Sequence, residues 1–230
     1  MSCILNIETS TNVCSVSLSQ DGVCLHEEVD LQGPSHAQVL AGFVKEVVSF
    51  ADSHAIPIDA VAVSKGPGSY TGLRIGVSEA KGVAYGRDAK LISVPTLKLL
   101  TVPVLLGHDE LPEDSLLCPM IDARRMEVYC AVYTRALKEV EATQALVVDE
   151  HSFNDLLEQH PIYFMGNGAD KCAEVIKHPN AHFIKGIVPC AKNMVPLAEM
   201  AMARQEFEDV AYFEPFYLKE FVATKSKKLL

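Results

Sequence analysis

The residues with the clearest chemical potential lie between positions 64 and 76, in the run SKGPGSYTGLRIG. An apolar stretch at 58–63 precedes this run and predicts a buried strand, and a predicted helix follows it through about Tyr85. Gly66 and Gly68 can adopt positive φ angles, and the free backbone N–H groups at a helix start can bind a phosphate or a carboxylate. The turn therefore predicts either an anion-binding loop or only a tight strand-to-helix connection, and these residues leave both interpretations open.

The predicted helix after this loop carries small residues at every fourth position. Gly72, Gly76 and Ala80 share one face of it, although a glycine inside a helix costs about 0.5–1 kcal/mol relative to alanine. Such a face permits close approach, either of the domain's own sheet or of a second protein chain. Arg74 lies one turn into the helix, where a cation opposes the helix dipole, so it is better understood as the partner of an anion or a carboxylate.

Four segments together resemble the bacterial TsaB (YeaZ) family of tRNA threonylcarbamoyladenosine biosynthesis proteins. The run KGPGSYTGLRIG is similar to the family signature, and ILNIETST at 4–11 is similar to its opening strand and phosphate-loop remnant. The run IDARRMEVY at 121–129 resembles its central motif, and GNG at 166–168 resembles a later glycine turn. The resemblance implies an α/β protein with a reduced actin-like, sugar-kinase-like ATPase (ASKHA) fold of two related lobes.

The order of the predicted elements fits such an organisation. Two strands, a turn at Asp21 and Gly22, a third strand and a helix that begins at Ser35 come first, and the signature loop with its helix follows. We predict an N-terminal α/β lobe over 1–106, with the signature and the partner-docking helices. A smaller C-terminal α/β lobe is expected over 107–230. Its predicted elements are strands at 116–121, 126–134, 140–148 and 161–165, and helices at 152–158, 168–177 and 194–207.

The resemblance implies candidate nucleotide or anion contacts in three turns. They are Glu8, Ser10 and Thr11 in the first loop, Gly66, Gly68 and Ser69 in the signature loop, and Gly166 and Gly168 in the later turn. A full member of the fold binds ATP between its lobes and commonly has aspartate where Glu8 stands, so the carboxylate here is displaced by one methylene. ATP or ADP at an interface with a catalytic paralogue is the one cofactor that the resemblance implies. The alternative for Glu8 is a solvated charge at a strand end.

We predict neither a metal site nor a catalytic residue in this chain. The related TsaD family carries a metal-binding pair of histidines four residues apart, and the matching positions here are Thr96 and Leu100. The sequence places no histidine and carboxylate to activate Ser69 or Thr71 as a nucleophile. The segment from Asp122 to Arg125, which includes Arg124, remains open between an ion-paired turn and a contact with a partner or a nucleotide.

Composition constrains the cellular setting. The net charge of −10, from 20 basic and 30 acidic residues, disfavours tRNA binding by this chain alone. The one basic cluster, KSKK at 225–228, predicts a solvated tail. Seven cysteines without a CxxC pair indicate reduced thiols, and no apolar run of membrane-spanning length or signal-peptide pattern occurs, so we expect a cytoplasmic protein that makes no membrane contact.

The resemblance implies a non-catalytic subunit that scaffolds and activates a TsaD-type catalytic paralogue. The complex, which also includes a TsaE-type P-loop ATPase, transfers the threonylcarbamoyl group from threonylcarbamoyl-adenylate to N6 of adenosine 37 in tRNAs that read ANN codons. We expect a heterodimer with the paralogue, a homodimer when the chain is alone, and only indirect contact with tRNA. The predicted interface comprises Gly72, Arg74, Ile75, Gly76, Glu79, Ala80 and Val83 on one helix and Val39 and Phe43 on the other.

Two functions of other classes stay open. One is a self-sufficient nucleotide-binding enzyme of the sugar-kinase type, either an ATPase or a small-molecule kinase, which Glu8 and the glycine turns support. The other is a dimeric interaction module unrelated to tRNA.

Overall fold

The computed structural model describes residues 2–33, 35–108 and 110–219, and the basic cluster at 225–228 lies outside these residues. The first half forms a five-stranded sheet in the order β3-β2-β1-β4-β5. The first three strands are antiparallel, whereas β4 and β5 run parallel to β1. The elements of this half are β1 (Cys3–Glu8), β2 (Cys14–Gln20), β3 (Val23–Asp30), α1 (His36–Ser53), β4 (Ala60–Gly66), α2 (Tyr70–Arg87) and β5 (Lys90–Pro95).

The second half repeats this topology. Its sheet has the order β10-β9-β6-β7-β8, with three antiparallel strands in sequence followed by two strands parallel to the first. The elements are β6 (Leu116–Asp122), β7 (Glu127–Thr134), β8 (Glu139–Val147), α4 (Asn154–Leu157), β9 (Ile162–Met165), α5 (Ala169–Cys172) and β10 (Ala181–Ile184). The predicted α/β fold of two related lobes is therefore confirmed.

Helices cover both faces of the first sheet. On one face α1 and α2 pack against the core around Leu5 and Ile7. On the other face α3 (Thr96–Gly107) and α6 (Ala191–Arg204) enclose Ile4 and Ala62. All six residues of β1 are buried, as expected for a strand covered on both sides. The helix α6 thus packs on the first sheet, although it lies within the range 107–230; the predicted domain boundaries stay a prediction.

Several local predictions can be compared with the structure. Asp21 and Gly22 both have positive φ angles, of 49° and 81°, as a tight hairpin turn requires. Ser35 precedes α1 but makes no side-chain cap, because its hydroxyl donates to the carboxylate of Asp30 instead. The predicted helix at 168–177 is reduced to the single turn of α5, and the strand β10 was absent from the sequence-based elements. No helix within the described ranges is both long and apolar enough to cross a membrane.

Candidate functional site

Glu8 ends β1 inside the protein, so the interpretation as a solvated charge was wrong. The side chain is fully buried. Its Oε1 atom accepts a 2.6 Å hydrogen bond from the backbone N–H of Ser10 and another from the Ser10 hydroxyl. The second carboxylate oxygen, Oε2, has no hydrogen-bond partner among the described residues. Glu8 therefore serves to hold the first loop, residues 9–11, in a tight turn over the end of the strand.

The environment of this carboxyl favours its neutral form. Burial raises the pKa of Glu8, and the hydroxyl and backbone N–H of Ser10 oppose that rise only in part. Ser64 on β4 also lowers the pKa, although its hydroxyl lies outside the geometry of a hydrogen bond. Burial thus disfavours the charged form of Glu8 that a metal ligand or a general base requires.

The first loop and the signature loop contact each other directly. The backbone N–H of Ser69 donates a 2.7 Å hydrogen bond to the carbonyl oxygen of Ser10. A Cβ atom on Gly68 would lie 2.3 Å from that same carbonyl oxygen. Ser69 caps α2, because its Oγ accepts from the N–H of Gly72 at 3.2 Å. Two backbone donors at the start of α2, those of Ser69 and Gly72, are therefore used within the chain, and Thr11 of the first loop is buried.

The small-residue face of α2 is directed inward. A Cβ atom on Gly72 would lie 2.1 Å from the carbonyl oxygen of Thr9, and one on Gly76 would lie 2.1 Å from Thr9 Oγ1. That hydroxyl donates a 2.8 Å hydrogen bond to the carbonyl of Gly72. Ala80, one turn further, is fully buried. The prediction that these three small residues face a partner is corrected: Gly72 and Gly76 accommodate the first loop of their own chain, and Ala80 belongs to its core.

The other residues of the predicted interface lie at the surface of the α1–α2 pair. Arg74 is exposed, and its guanidinium contacts Tyr70 through a 3.0 Å hydrogen bond and a ring contact with 5.4 Å to the ring centroid. Apolar side chains border the core and keep part of their surface in solvent: Val39, Phe43, Ile75 and Val83. Glu79 is half-buried on the same helix. Their role in binding a partner stays a prediction, and we call these six residues the α1–α2 face.

The later glycine turn belongs to the second sheet. Gly166 has a φ of +97°, and its Cβ would lie 2.4 Å from the carbonyl oxygen of Met120. The N–H of Gly168 donates a 3.0 Å hydrogen bond to that same oxygen. Both glycines thus permit close packing on β6. The binding of ATP or ADP by these residues, at an interface with a paralogue, stays a prediction.

The segment from Asp122 to Arg125 forms a turn that is held by a lysine. The carboxylate of Asp122 accepts from the N–H of Arg124 at 3.1 Å and forms an ion pair with Lys171. The interpretation as an ion pair between aspartate and arginine is therefore replaced by one with Lys171. Both arginine side chains, at 124 and 125, are exposed, and both have positive φ angles.

A segment that the sequence analysis missed runs over the signature loop. We call residues 205–219 the C-terminal strap. Its backbone joins the edge of β5 and the end of β4, through hydrogen bonds from Glu208 N to the Leu91 carbonyl at 2.8 Å and from Phe216 N to the Lys65 carbonyl at 2.7 Å. Pro215 favours an extended chain here, because proline does not continue a helix, but no periodic pattern in the sequence indicates where that chain lies.

Among the described residues, no three histidine, cysteine, aspartate or glutamate side chains lie close enough together to hold a metal ion. His178 and His182 are four residues apart, but His178 lies in a loop and His182 lies on β10, so they do not share a helix face.

Comparisons with known proteins agree with the fold and with the signature. The family model for TsaD, tRNA N6-adenosine threonylcarbamoyltransferase, matches residues 30–227. The tRNA threonylcarbamoyladenosine biosynthesis protein TsaB of Escherichia coli is 31% identical over 229 residues, which is 96% of each chain. Among solved structures, YeaZ from Pseudomonas aeruginosa superposes with a TM-score of 0.80 at 26% identity, covering 95% of this chain and 100% of that one.

A more distant structure shares the fold alone. The activator of 2-hydroxyisocaproyl-CoA dehydratase from Clostridium difficile, solved with bound ADPNP, has a TM-score of 0.50 at 9% identity and covers 90% of this chain and 99% of its own. Since the E. coli match exceeds 30% identity along almost the whole of both chains and the TsaD model spans most of this one, the protein belongs to the TsaB (YeaZ) family.

Proposed function

We propose that this chain takes part in making threonylcarbamoyladenosine in tRNA, as a non-catalytic subunit that binds and activates a TsaD-type catalytic paralogue. The observation that carries the proposal is the near-complete match to proteins named for tRNA threonylcarbamoyladenosine biosynthesis. The TsaD family model fits the same proposal, because it relates this chain to the catalytic subunit that it would bind.

The geometry of the two loops supports a non-catalytic role. In an ATP-binding member of this fold, the first loop and a second loop contact phosphates. Here the carbonyl oxygen of Ser10 accepts from the N–H of Ser69 and would lie 2.3 Å from a Cβ on Gly68, so the first loop packs directly on the signature loop. Glu8 is buried beneath them, and burial raises its pKa.

The α1–α2 face is the surface that we propose for the paralogue. It combines the exposed Arg74 with the four partly buried apolar side chains and Glu79. Apolar surface of this kind, bordered by charges, is typical of reversible protein interfaces. A paralogue of the same fold would present equivalent helices, so the same face would also support a homodimer when this chain is alone.

The first test is native mass spectrometry of the purified chain, alone and with the TsaD-type paralogue. We expect a one-to-one heterodimer that replaces the homodimer. Arg74→Glu should weaken the heterodimer at least tenfold, whereas Lys45→Glu, an exposed cation on α1, serves as the matched charge reversal and should have little effect. A wild-type chain that forms no complex at any salt concentration would remove the basis of the proposal.

Activity is measured on the tRNA product. Cells depleted of this chain should lose the threonylcarbamoyl group on adenosine 37, and wild-type protein should restore it while Arg74→Glu restores less. We further propose that a TsaE-type P-loop ATPase joins the complex and that ATP or ADP binds where the chain meets the paralogue. The acidic chain would then contact tRNA only indirectly, in the cytoplasm, where tRNA is modified.

One observation favours the second candidate, a self-sufficient nucleotide-binding enzyme. Oε2 of Glu8 is buried without a hydrogen-bond partner among the described residues. Such an atom is rare in folded proteins, and a ligand that binds to it would explain it here. Steady ATP hydrolysis by the purified chain, abolished in Glu8→Gln, would establish that function in place of the scaffold. Absence of turnover with intact heterodimer formation would support the scaffold.

A further inference from the structure

A cleft distinct from both glycine turns opens at the carboxyl edge of the first sheet. Its volume is about 390 Å³, which lies within the range of small-molecule sites. One wall comes from the ends of β4 and β5 and the start of α3. The C-terminal half of α6 and the first residues of the C-terminal strap form another wall, and the turn between β7 and β8 closes the side toward the second sheet.

Three cations line this cleft, each from a different element. Lys65 lies near the end of β4, Lys98 lies in the first turn of α3, and Arg204 is the last residue of α6. In the described part of the chain, neither lysine forms an ion pair. The Lys98 ammonium lies 5.7 Å from the ring centroid of Tyr133, and Arg204 approaches Glu206 only to 3.9 Å. The two lysine charges are thus left without a carboxylate partner.

The charge of the lining differs in sign from that of the protein. Three cations and two carboxylates, Glu206 and Glu208, give the cleft a net charge of +1, while the whole chain carries −10. Glu208 is held by Ser93, whose hydroxyl donates to it at 2.6 Å, so this carboxylate has a partner of its own. Pro95, also in the lining, precedes the N-terminus of α3, which no side chain caps and where the helix dipole adds positive potential.

We propose that this cleft binds a small organic phosphate, with the phosphate group between Lys65, Lys98 and the start of α3. Lysine is a common point-charge ligand for phosphate, and a helix N-terminus favours the same group. The volume exceeds what a phosphate ion fills, so the remaining space suits a polyol or sugar whose hydroxyl groups donate to Glu206 and Glu208. The proposal concerns this chain alone and does not depend on a catalytic paralogue.

Isothermal titration calorimetry tests the proposal with ribose 5-phosphate, inorganic phosphate and ribose as probes. We expect saturable binding of ribose 5-phosphate, weaker binding of inorganic phosphate, and none of ribose. Lys98→Ala should weaken ribose 5-phosphate about tenfold or more, since charge-assisted hydrogen bonds are lost. The double variant Lys65→Ala/Lys98→Ala should weaken it further. Lys45→Ala, an exposed lysine of α1 on the opposite face of the first sheet, is the matched control and should bind like wild type.

Three results would overturn the proposal. The first is no binding of ribose 5-phosphate at millimolar concentration by folded wild-type protein. The second is wild-type affinity in Lys98→Ala and in the double variant. The third is inorganic phosphate binding as tightly as ribose 5-phosphate, which would make the cleft an anion site without an organic subsite. Thermal unfolding of each variant establishes that the binding data refer to folded protein.

Discussion

Substituting Gly76 by alanine tests whether α2 is shaped by the first loop of its own chain. The added Cβ would lie 2.1 Å from Thr9 Oγ1, a distance at which one of the two groups must move. The Thr9 hydroxyl is buried and donates to the Gly72 carbonyl at 2.8 Å, so moving it breaks a buried hydrogen bond. If Gly76 faced a partner chain instead, a methyl group at this position would leave the stability of the folded monomer unchanged.

The expected magnitude follows from three contributions. Overpacking a close contact costs about 1–3 kcal/mol, and leaving the buried Thr9 hydroxyl without its acceptor costs about 1–3 kcal/mol. Replacing a helical glycine by alanine returns about 1 kcal/mol. The free energy of unfolding of Gly76→Ala should therefore fall by about 3 kcal/mol, which urea denaturation followed by circular dichroism measures directly.

Gly82 provides the matched control, because it lies on the same helix and a Cβ there would meet nothing within 4 Å. Gly82→Ala should raise the free energy of unfolding by about 0.5–1 kcal/mol. A double-mutant cycle of Gly76→Ala with Thr9→Ala adds a second check, since removing Oγ1 relieves the clash and the two changes should couple by about 1 kcal/mol or more. Stability of Gly76→Ala equal to that of Gly82→Ala would refute the reasoning.

Two further predictions follow from the buried carboxyl and from the C-terminal strap. Because burial raises the pKa of Glu8 above 4.5, folding favours its protonated form, and the stabilisation is lost as the pH rises above that value. The melting temperature of Glu8→Gln minus that of wild type should therefore be larger at pH 8 than at pH 4. The same difference at both pH values would contradict this prediction. Gly66→Ala and Gly186→Ala both place alanine at a positive φ, of +109° and +76°, but only at Gly66 would the Cβ meet the Phe216 carbonyl, at 2.5 Å. Chymotrypsin should cleave the strap several times faster in Gly66→Ala alone, and equal rates in both variants would show that the contact does not hold the strap.

The sequence predicted those features that depend on local rules. The hairpin at Asp21 and Gly22 requires two positive φ angles, and both residues accept them. The glycine run after β4 likewise predicted a tight turn into a helix, since few other residues permit that backbone. Helical spacing also identified which residues of α2 share a face, but spacing does not determine what covers that face. The partner assigned to it was therefore wrong for Gly72 and Gly76.

The remaining features depend on contacts between residues far apart in the chain. The helix α6 returns to the first sheet and packs on Ile4 and Ile92, a placement that no local pattern encodes. The backbone and side-chain contacts of the C-terminal strap, such as those of Glu208 with Leu91 and Ser93, join residues far apart in the chain, so no local pattern indicates its path. Burial of Glu8 was missed for a similar reason, because a glutamate after a strand resembles an exposed charge until the loop that covers it is known.

Steric contact with other segments of the chain explains why four positions of the signature are glycine, without reference to phosphate binding. Each lies where a side chain would meet an oxygen of another segment: Gly66 meets Phe216, Gly68 meets Ser10, and Gly72 and Gly76 both meet Thr9. The distances to these oxygens run from 2.1 to 2.5 Å. Three of these contacts join the signature to the first loop and the fourth joins it to the C-terminal strap, so the motif encodes close packing of three segments. In this chain the glycine run after β4 is therefore explained by close packing alone, and the backbone N–H of Ser69, at its end, donates to the carbonyl oxygen of Ser10.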